Sequence, residues 1–452
     1  MSAIGDVCHV VPVVHTLQRA YPHCRLTWII GTREAELVDG LPGIEFIRFD
    51  KAAGLRSYWD LQRRLQSRQF DLLINFQNSW RANGVTLCIS SPVRLGFDIK
   101  QTRDAQWWFT NQRIPHTGKR HILEMFFAFP EFLGVRDREL RWDIPIPESA
   151  LALASRLIPD HTPTMILSPC SNPRFRNYRN WRPDRYGLIA RYAREHHGLR
   201  TLITGSSSDV ERRYAQAIRD TSPEAIDLTG QTRLKELLAL LSRASFLLCP
   251  DSGPAHMATA VGTPVISLFA TTNPDRARPY LSGDWCVNRY PEAVRRYLGK
   301  EVSEVPWGTR VRNPGAMDLI EVDAVIDTID RLMREKHSQP RHPIDPVPEH
   351  PASCRKRAHD RIQGCVSLER ATAPTPGENS PMSSSTRESN ALRVYHVCRR
   401  DLPVSCPSDL APLWCSHPRV FLPLEDQGEA TCPYCSARYI LDDFEPPGPS
   451  VA

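Results

Sequence analysis

Short apolar runs alternate with amphipathic stretches through the first 335 residues of this 452-residue chain. Runs rich in Ile, Leu and Val that helical patterns separate are typical of parallel sheets covered on both faces. Two such sets follow one another, and this predicts two doubly wound α/β domains, because single cores rarely grow so large. The predicted strands are RLTWIIG, IEFIRFD, DLLINFQ and VRLGFD in the first set and TMILSP, RTLITG, AIDLTG, SFLLCP and PVISLF in the second.

Changes in composition predict the domain boundaries. The first domain should span residues 1–155 and the second 156–336, since prolines cluster and the pattern lapses between Pro145 and Pro163. Residues 337–392 are rich in Pro, Ser and charge, which predicts a disordered linker. Residues 393–446 form a small Cys-containing segment that needs a covalent or metal staple. The predicted helices include Trp59–Phe70, Arg185–Gly198, Leu234–Ala244 and Val322–Lys336.

Charge and cysteine usage limit the function classes. A formal net charge of +6 is modest for this length, so it favours anionic small molecules or an acidic membrane surface over nucleic acid. We find neither an apolar run near the ~18 residues of a spanning helix nor a signal peptide, and we expect a cytoplasmic protein. Reduced cysteines in the first 300 residues should then be buried small hydrophobes: Cys8, Cys24, Cys88, Cys170, Cys249 and Cys286.

The stretch SFLLCPDSGPAHMATAVGTPVISLF suggests a phosphate site. Asp251 follows a buried strand, at the sheet edge where ligands bind in α/β folds. Gly253 allows close backbone approach and Pro254 suits a first helical turn, whose free N–H groups attract phosphate or diphosphate. His256 could add a hydrogen bond. From the residues alone, capping of the helix by Asp251 or Ser252 is an equal alternative.

The segment DSGPAHMATAVGTPVISLFATTNPDRARPY resembles the signature of the ADP-heptose–lipopolysaccharide heptosyltransferases, glycosyltransferase family nine. SAIGDVCHVVPVVHTLQRAYPHCRLTWII and SPCSN…RNWRPDRYGLIA resemble other parts of that family, so the resemblance covers about residues 1–335. It implies a GT-B fold: two Rossmann-like domains facing a cleft, the first for the acceptor and the second for the sugar nucleotide. It also implies inverting, metal-independent transfer of heptose from ADP-L-glycero-D-manno-heptose to the Kdo region of lipid A, at the inner face of the inner membrane.

Such a transfer must stabilise the departing diphosphate and deprotonate the acceptor hydroxyl. The resemblance implies that Asp6 is the base; it could instead, or in addition, be the N-cap of a helix starting near Val7. It also implies phosphate contacts from Ser171 and Asn172. Arg179 stands where the family usually has Lys and is the best cation for the diphosphate, although the two side chains differ in geometry.

The ribose of the nucleotide needs a partner in the second domain. TGSSSDVE follows a predicted strand and offers Asp209 or Glu211, of which we favour Asp209. Helix capping by Ser208 or Asp209 is an equally open interpretation.

The acceptor side has a basic segment, HTGKRHILEMFF. We predict that Lys119, Arg120 and His121 bind the anionic, lipid-linked acceptor, with the aromatic group Trp107–Phe109 nearby. An ordinary solvated loop beside core aromatics is the alternative. The family also has an apolar strand and a basic residue before Gly5, so we expect the first strand of the N-terminal sheet to be missing from this sequence and its neighbours to be left as edges.

The tail CPSDLAPLWCSHPRVFLPLEDQGEATCPYCSARYIL contains a Cys-x-x-Cys pair within a metal-like pattern. A disulfide framework is the alternative, which the cytoplasmic context disfavours. The segment resembles the CHCC-type zinc finger, which implies Cys406, His417, Cys432 and Cys435 as the four ligands of a structural zinc ion. Such a module could also bind a protein partner.

Two other functions remain open at this point. A GT-B enzyme could use another sugar nucleotide, or a degenerate transferase could act as a zinc-dependent interaction protein. A dinucleotide oxidoreductase is disfavoured, because no Gly-x-Gly-x-x-Gly follows a strand.

Overall fold

The computed structural model describes residues 3–102, 104–160, 162–172 and 176–338, and, nearer the C-terminus, 394–397, 405–406, 420–421, 424, 428–431 and 438–442. The chain divides into two compact units, Met1–Pro343 and Ile344–Ala452. The predicted linker 337–392 lies outside the described residues, apart from the end of the helix that precedes it.

The first half of the larger unit alternates helices and strands. In chain order they are α1 (Ile4–Ala20), β1 (Leu26–Gly31), α2 (Thr32–Val38), β2 (Ile44–Phe49), α3 (Leu55–Leu65), β3 (Leu72–Ile74), α4 (Trp80–Thr86), β4 (Val93–Gly96), β5 (Gln112–Arg113), α5 (Ile122–Phe132) and α6 (Glu148–Leu157). Within the described residues, β1–β2 and β3–β4–β5 form two separate parallel sheets. Only the last two residues of β1 and the middle residue of β3 are buried.

The second half forms one parallel sheet of six strands. Its elements are β6 (Thr164–Leu167), α7 (Pro183–His197), β7 (Arg200–Ile203), α8 (Asp209–Thr221), β8 (Ile226–Asp227), α9 (Leu234–Arg243), β9 (Phe246–Pro250), α10 (Gly253–Ala260), β10 (Val265–Phe269), α11 (Pro274–Ala277), β11 (Cys286–Asn288), α12 (Tyr290–Leu298) and α13 (Val322–Ser338). The order β8-β7-β6-β9-β10-β11 is that of a Rossmann-like sheet, with a switch point between β6 and β9. Strands β6, β9 and β10 are wholly buried, as the apolar runs predict.

Helix α1 joins the two halves. Every residue from Val7 to Leu17 is buried, because the helix contacts α2 and α5 on one side and α10 on the other. Val7 and Val11 share one buried cluster with Leu247 and Ala258 of the second half. A helix that is buried on all sides in this way belongs to the interior rather than to a surface. No helix in the described part of the chain is long and apolar enough to cross a bilayer.

Several sequence-based expectations need correction. The region between the two halves is not an irregular lapse, because α6 fills it and buries Ala150 and Ala154 against α9. Helix α3 begins four residues earlier than predicted and ends at Leu65. Cys24 is exposed and Cys286 is half-buried, whereas the other four cysteines of this unit are buried as expected.

The smaller unit contains short strands. They are β12 (Val394–Val397), β13 (Ser405–Cys406), β14 (Val420–Phe421), β15 (Glu429–Thr431) and β16 (Arg438–Leu441). Strand β16 pairs with β12 and β15, while β13 pairs with β14. Leu424, Tyr439 and Leu441 are buried.

Candidate active site

A cleft of about 820 Å³ opens between the two halves of the larger unit. Its second-half wall is formed where β6 and β9 end, at the switch point of the sheet, which is where α/β folds bind ligands. Its first-half wall is formed by the start of α1 and by the segments after β3 and β4. Nine of the residues predicted as site residues line it: Asp6, Lys119, Asn172, Arg179, Asp251, Ser252, Gly253, Pro254 and His256.

The start of helix α10 lines the cleft with the backbone of Ser252 and Gly253, whose N–H groups precede the helical bonds; Pro254 has no N–H, and that of Ala255 donates to the carbonyl of Ser252 at 3.3 Å. Ser252 occupies the N-cap position, but its hydroxyl accepts no hydrogen bond from the helix. Asp251 does not cap the helix either, since its Oδ2 accepts hydrogen bonds from Arg179 Nη1 (3.2 Å) and Thr272 Oγ1 (3.0 Å). Neither the Ser252 nor the Asp251 side chain therefore caps helix α10, and the capping alternative is wrong. The positive end of the helix is left for an anion.

Arg179 is fixed beside this helix end. Its Nε donates to Asn177 Oδ1 at 2.8 Å, and its side chain, like that of Asp251, is only 14% exposed. Ser171 has a supporting place in the same loop: its backbone N–H and its hydroxyl both donate to Asn180 Oδ1, and it is buried away from the cleft lining. The loop thus brings Arg179 and Asn172, but not Ser171, to the cleft.

The residue that faces the cleft from α8 is Glu211 rather than Asp209. Asp209 is exposed and pairs with Arg212 at 2.8 Å. Glu211 lies two residues further along the helix, lines the cleft, and accepts hydrogen bonds through Oε2 from the hydroxyls of Ser206 and Ser208. The sequence offered both acids, and the rotation of the helix decides between them.

Asp6 enters the cleft from the first turn of α1. It is the third residue of that helix, whose N-cap is Ala3, so the predicted N-cap role is wrong. Its Oδ2 accepts hydrogen bonds from the N–H of Ala3 (3.4 Å) and from Nε2 of Gln77 (3.3 Å), so the carboxylate supports the helix start from the third helical position. Both contacts are long, which leaves the carboxylate capacity to accept a further proton or hydrogen bond.

Helices α1 and α10 meet with their N-termini together. A Cβ added at Gly5 would lie only 2.6 Å from Cδ2 of His256, and one added at Gly253 would lie 3.2 Å from Cβ of Ile4. Glycine at both positions permits this approach. It brings Asp6 and the open end of α10 to one cleft.

His9 is a site residue that the sequence analysis missed. It lies one turn after Asp6, and its ring contacts those of His256 (centroids 4.4 Å apart) and His121 (5.5 Å). His9 Nε2 and His256 Nδ1 have no hydrogen-bond partner among the described residues. Burial lowers the pKa of His256 to about 4 and holds the pKa of His9 well below its usual value, so both rings are neutral near pH 7. The i+3 spacing from Asp6 is the signal that would have found His9.

Of the three residues predicted to bind the acceptor, only Lys119 lies in the cleft lining, and the other two contact the second half. Lys119 lines the cleft. The carbonyl of Arg120 accepts a hydrogen bond from Trp307 Nε1 at 2.9 Å, and Nε2 of His121 lies 2.8 Å from the carbonyl oxygen of Arg278. His121 and the backbone of Arg120 therefore connect the two halves.

The cleft is cationic. Seven Lys or Arg side chains line it against four carboxylates, counting described residues only. One of these carboxylates, Glu34, is paired with Lys51 at 2.6 Å. Such a lining suits a ligand with several negative charges. The cations are Arg33, Lys100, Lys119, Arg179, Arg233, Arg276 and Arg310, and the acids are Asp6, Glu34, Glu211 and Asp251.

The proposed zinc ligands are mostly outside the described residues. Only Cys406 falls within them, as the last residue of β13 opposite Val420. His417, Cys432 and Cys435 lie outside, so the geometry of the four ligands is not described.

Comparison with known proteins identifies the family to which the larger unit belongs. Residues 58–302 match glycosyltransferase family 9 (heptosyltransferase). The lipopolysaccharide core heptosyltransferase OpsX of Haemophilus influenzae is 35% identical over 333 residues, which are 74% of this chain and 95% of the relative. The chain belongs to glycosyltransferase family 9. This family 9 protein is therefore a glycosyltransferase, as the resemblance implied. Residues 402–439 also match the CHCC zinc-finger family.

Other relatives are more distant. Lipopolysaccharide heptosyltransferase 3 of Escherichia coli is 24% identical and covers 73% of this chain and 96% of its own length. Among solved structures, a family 9 glycosyl transferase from Veillonella parvula has a TM-score of 0.59 at 21% identity, with 74% of this chain and 95% of that chain covered. E. coli heptosyltransferase WaaC with ADP has a TM-score of 0.57 at 17% identity, with coverage of 74% and 98%. These likenesses confirm the GT-B fold of this family 9 chain.

Proposed function

We propose that this glycosyltransferase moves heptose from ADP-L-glycero-D-manno-heptose to the Kdo or inner-core region of lipopolysaccharide, with inversion and without a catalytic metal. The relative OpsX supports the lipopolysaccharide core as the product, and a solved E. coli heptosyltransferase with ADP-2-deoxy-2-fluoro heptose supports the donor class. The cationic cleft suits two anionic reactants, a nucleoside diphosphate sugar and an acidic sugar acceptor.

The second-half wall holds the donor in this proposal. The diphosphate lies against the start of α10, where the N–H groups and Arg179 stabilise the charge that grows on the leaving ADP. Asp251 positions Arg179 rather than contacting the phosphate, since its own oxygen already accepts from that side chain. Glu211 accepts hydrogen bonds from the ribose hydroxyls in place of Asp209.

The first-half wall activates the acceptor. Asp6 takes the proton of the acceptor hydroxyl as its oxygen attacks the anomeric carbon on the face opposite ADP, and the electron pair of the broken bond leaves with ADP. Gln77 orients the carboxylate through Oδ2. Lys119, Lys100 and Arg33 supply positive charge for the acidic acceptor.

One observation carries this proposal: the starts of α1 and α10 meet in one cleft, so a carboxylate and an open helix end face the same space. The test is incubation of the purified full chain with ADP-heptose and Kdo–lipid A, with ADP-glucose and UDP-sugars as matched donors. We expect ADP release and a heptosylated lipid only with ADP-heptose. Turnover with another donor alone would instead establish the second candidate, a GT-B enzyme of different sugar specificity.

The protein is proposed to work in the cytoplasm, peripherally on the inner face of the inner membrane, because the proposed acceptor is lipid-linked. The smaller unit is proposed to bind one structural zinc ion through Cys406, His417, Cys432 and Cys435, which all lie within the matched zinc-finger segment. Four protein ligands leave no open position for catalysis. We expect about one zinc per chain by elemental analysis, lost in Cys432→Ser and kept in Cys24→Ser; a metal-free parent protein would reject the assignment.

A further inference from the structure

Four exposed tryptophans and two exposed leucines lie in neighbouring elements of the first half. We call them the aromatic face, which consists of Leu55, Trp59, Trp80, Leu87, Trp107 and Trp108. Leu55, Trp59 and Trp108 are 77%, 70% and 68% exposed, and Trp80 is 58% exposed. Single exposed apolar residues need no explanation, but several tryptophans in neighbouring elements do.

The members of this face belong to contiguous elements. Tyr58 of α3 donates through its hydroxyl to the carbonyl of Arg81 in α4 at 3.1 Å, and a Cβ on Gly84 would lie 3.0 Å from the Tyr58 ring. Trp80 contacts Phe109 edge-to-face (centroids 6.5 Å apart), in the turn that carries Trp107 and Trp108. Helices α3 and α4 and this turn therefore form one continuous surface.

Positive charge surrounds the same surface. Arg56, Arg63, Arg64 and Arg81 are exposed on α3 and α4, and on these two helices only Asp60 opposes them, paired with Arg63. Arginine beside exposed Trp and Leu is the combination found in helices that lie in the headgroup region of anionic membranes. A two-fold contact between copies is disfavoured, because it would place this arginine cluster against itself.

We propose that the aromatic face docks the protein on an anionic lipid surface. The tryptophan rings and leucines enter the headgroup boundary while the arginines pair with lipid phosphates. The face adjoins the cleft: Gln77, which contacts Asp6, lies three residues before Trp80, and the side chain of Asn78 donates to the carbonyl of Gln101, which lines the cleft. That position suits delivery of a lipid-linked acceptor, a reading that rests on the proposed function.

The test is co-sedimentation of the full chain with phosphatidylglycerol/phosphatidylcholine vesicles, compared with pure phosphatidylcholine, and it uses no donor or acceptor. We expect binding to the anionic vesicles that weakens with salt. Trp59→Ala and Trp108→Ala should each weaken partitioning about tenfold, the effect of withdrawing roughly 60 Å² of apolar surface from lipid. Arg63→Gln and Arg64→Gln should each weaken it about fivefold. Leu188→Ala, a half-exposed leucine on α7, is the matched control and should not change it.

Each of the following outcomes would refute the proposed lipid-docking surface without bearing on the proposed sugar transfer. Parent protein that stays in the supernatant with anionic vesicles would refute it. Tryptophan variants that bind as tightly as the parent would do the same. Variants that turn a dimer into a monomer in light scattering, with unchanged vesicle binding, would assign the face to a second copy. Unchanged thermal unfolding and retained ADP-heptose turnover on detergent-dispersed acceptor separate this result from a failure of folding or of the proposed function.

Discussion

A small set of side chains gives the cleft its proposed chemistry, and Asp6 is the one whose removal is most informative. Asp6→Asn keeps the shape and the contact with Gln77 but removes the proton acceptor. We expect transfer to fall by about 10²–10⁴-fold while ADP binding, measured by calorimetry, stays nearly unchanged. Asp209→Asn is the matched control, because Asp209 is exposed and lies outside the cleft lining. Full activity in Asp6→Asn would remove this residue from the mechanism.

The buried histidines predict a dependence of stability on pH. Burial sets the pKa of His256 at about 4 in the folded chain, below the ~6.5 of an unfolded histidine. The unfolded state therefore binds the proton first, and stability present above pH 6.5 is lost as the pH falls towards 4. This one group accounts for a loss on the order of 3 kcal/mol.

Urea unfolding of the parent, His256→Gln and the exposed control His23→Gln at several pH values measures this loss. His256→Gln should lose distinctly less stability than the parent between pH 6.5 and 4, whereas His23→Gln should follow the parent. Besides burial, Asp251 and His121 act on the pKa of His256, and His256 in turn lowers the pKa of His9, so His256→Gln removes this coupling together with the ring itself. Parallel curves for parent and His256→Gln would show that this histidine is not held neutral.

Helices α1 and α10 bring the site residues together, and their close approach is the contact on which the cleft depends. Alanine usually stabilises a helix relative to glycine by about 1 kcal/mol. At Gly5 the added Cβ meets the buried ring of His256 at 2.6 Å, so Gly5→Ala should instead destabilise the larger unit by about 1–3 kcal/mol and reduce transfer. The double variant Gly5→Ala/His256→Ala should recover much of that stability, as a double-mutant cycle would show. Additive effects of the two changes would contradict the contact.

The sequence predicts elements well where local pattern decides them. All nine predicted strand segments contain a strand, because short runs of Ile, Leu and Val suit a sheet buried on both faces. Strands β5 and β11 escaped notice, since each has two or three residues and exists through pairing with a neighbour. Helix α6 was not predicted, because prolines cluster around it. Pro147, however, only precedes its first residue, where proline is tolerated.

The candidate active site could be predicted only in part, because much of it depends on tertiary packing. The residues of the Asp251–His256 turn are adjacent in sequence, so their convergence could be inferred. The pairing of Arg179 with Asp251, 72 residues apart, depends on β6 lying beside β9. The choice of Glu211 over Asp209 and the contact of His9 with His256 depend on helix rotation and on how two helices cross. Tertiary packing settles such questions, and sequence spacing alone does not.

The whole larger unit is a pair of α/β halves whose cleft unites a carboxylate, an open helix end and an excess of cations. The central claim is that the departing diphosphate binds where β6 and β9 end. A crystal structure of the full chain with ADP tests this most directly. We predict the diphosphate within hydrogen-bond distance of the backbone at Gly253 and of the Arg179 guanidinium, with the ribose beside Glu211. A well-ordered nucleotide bound anywhere else on the chain would contradict the account.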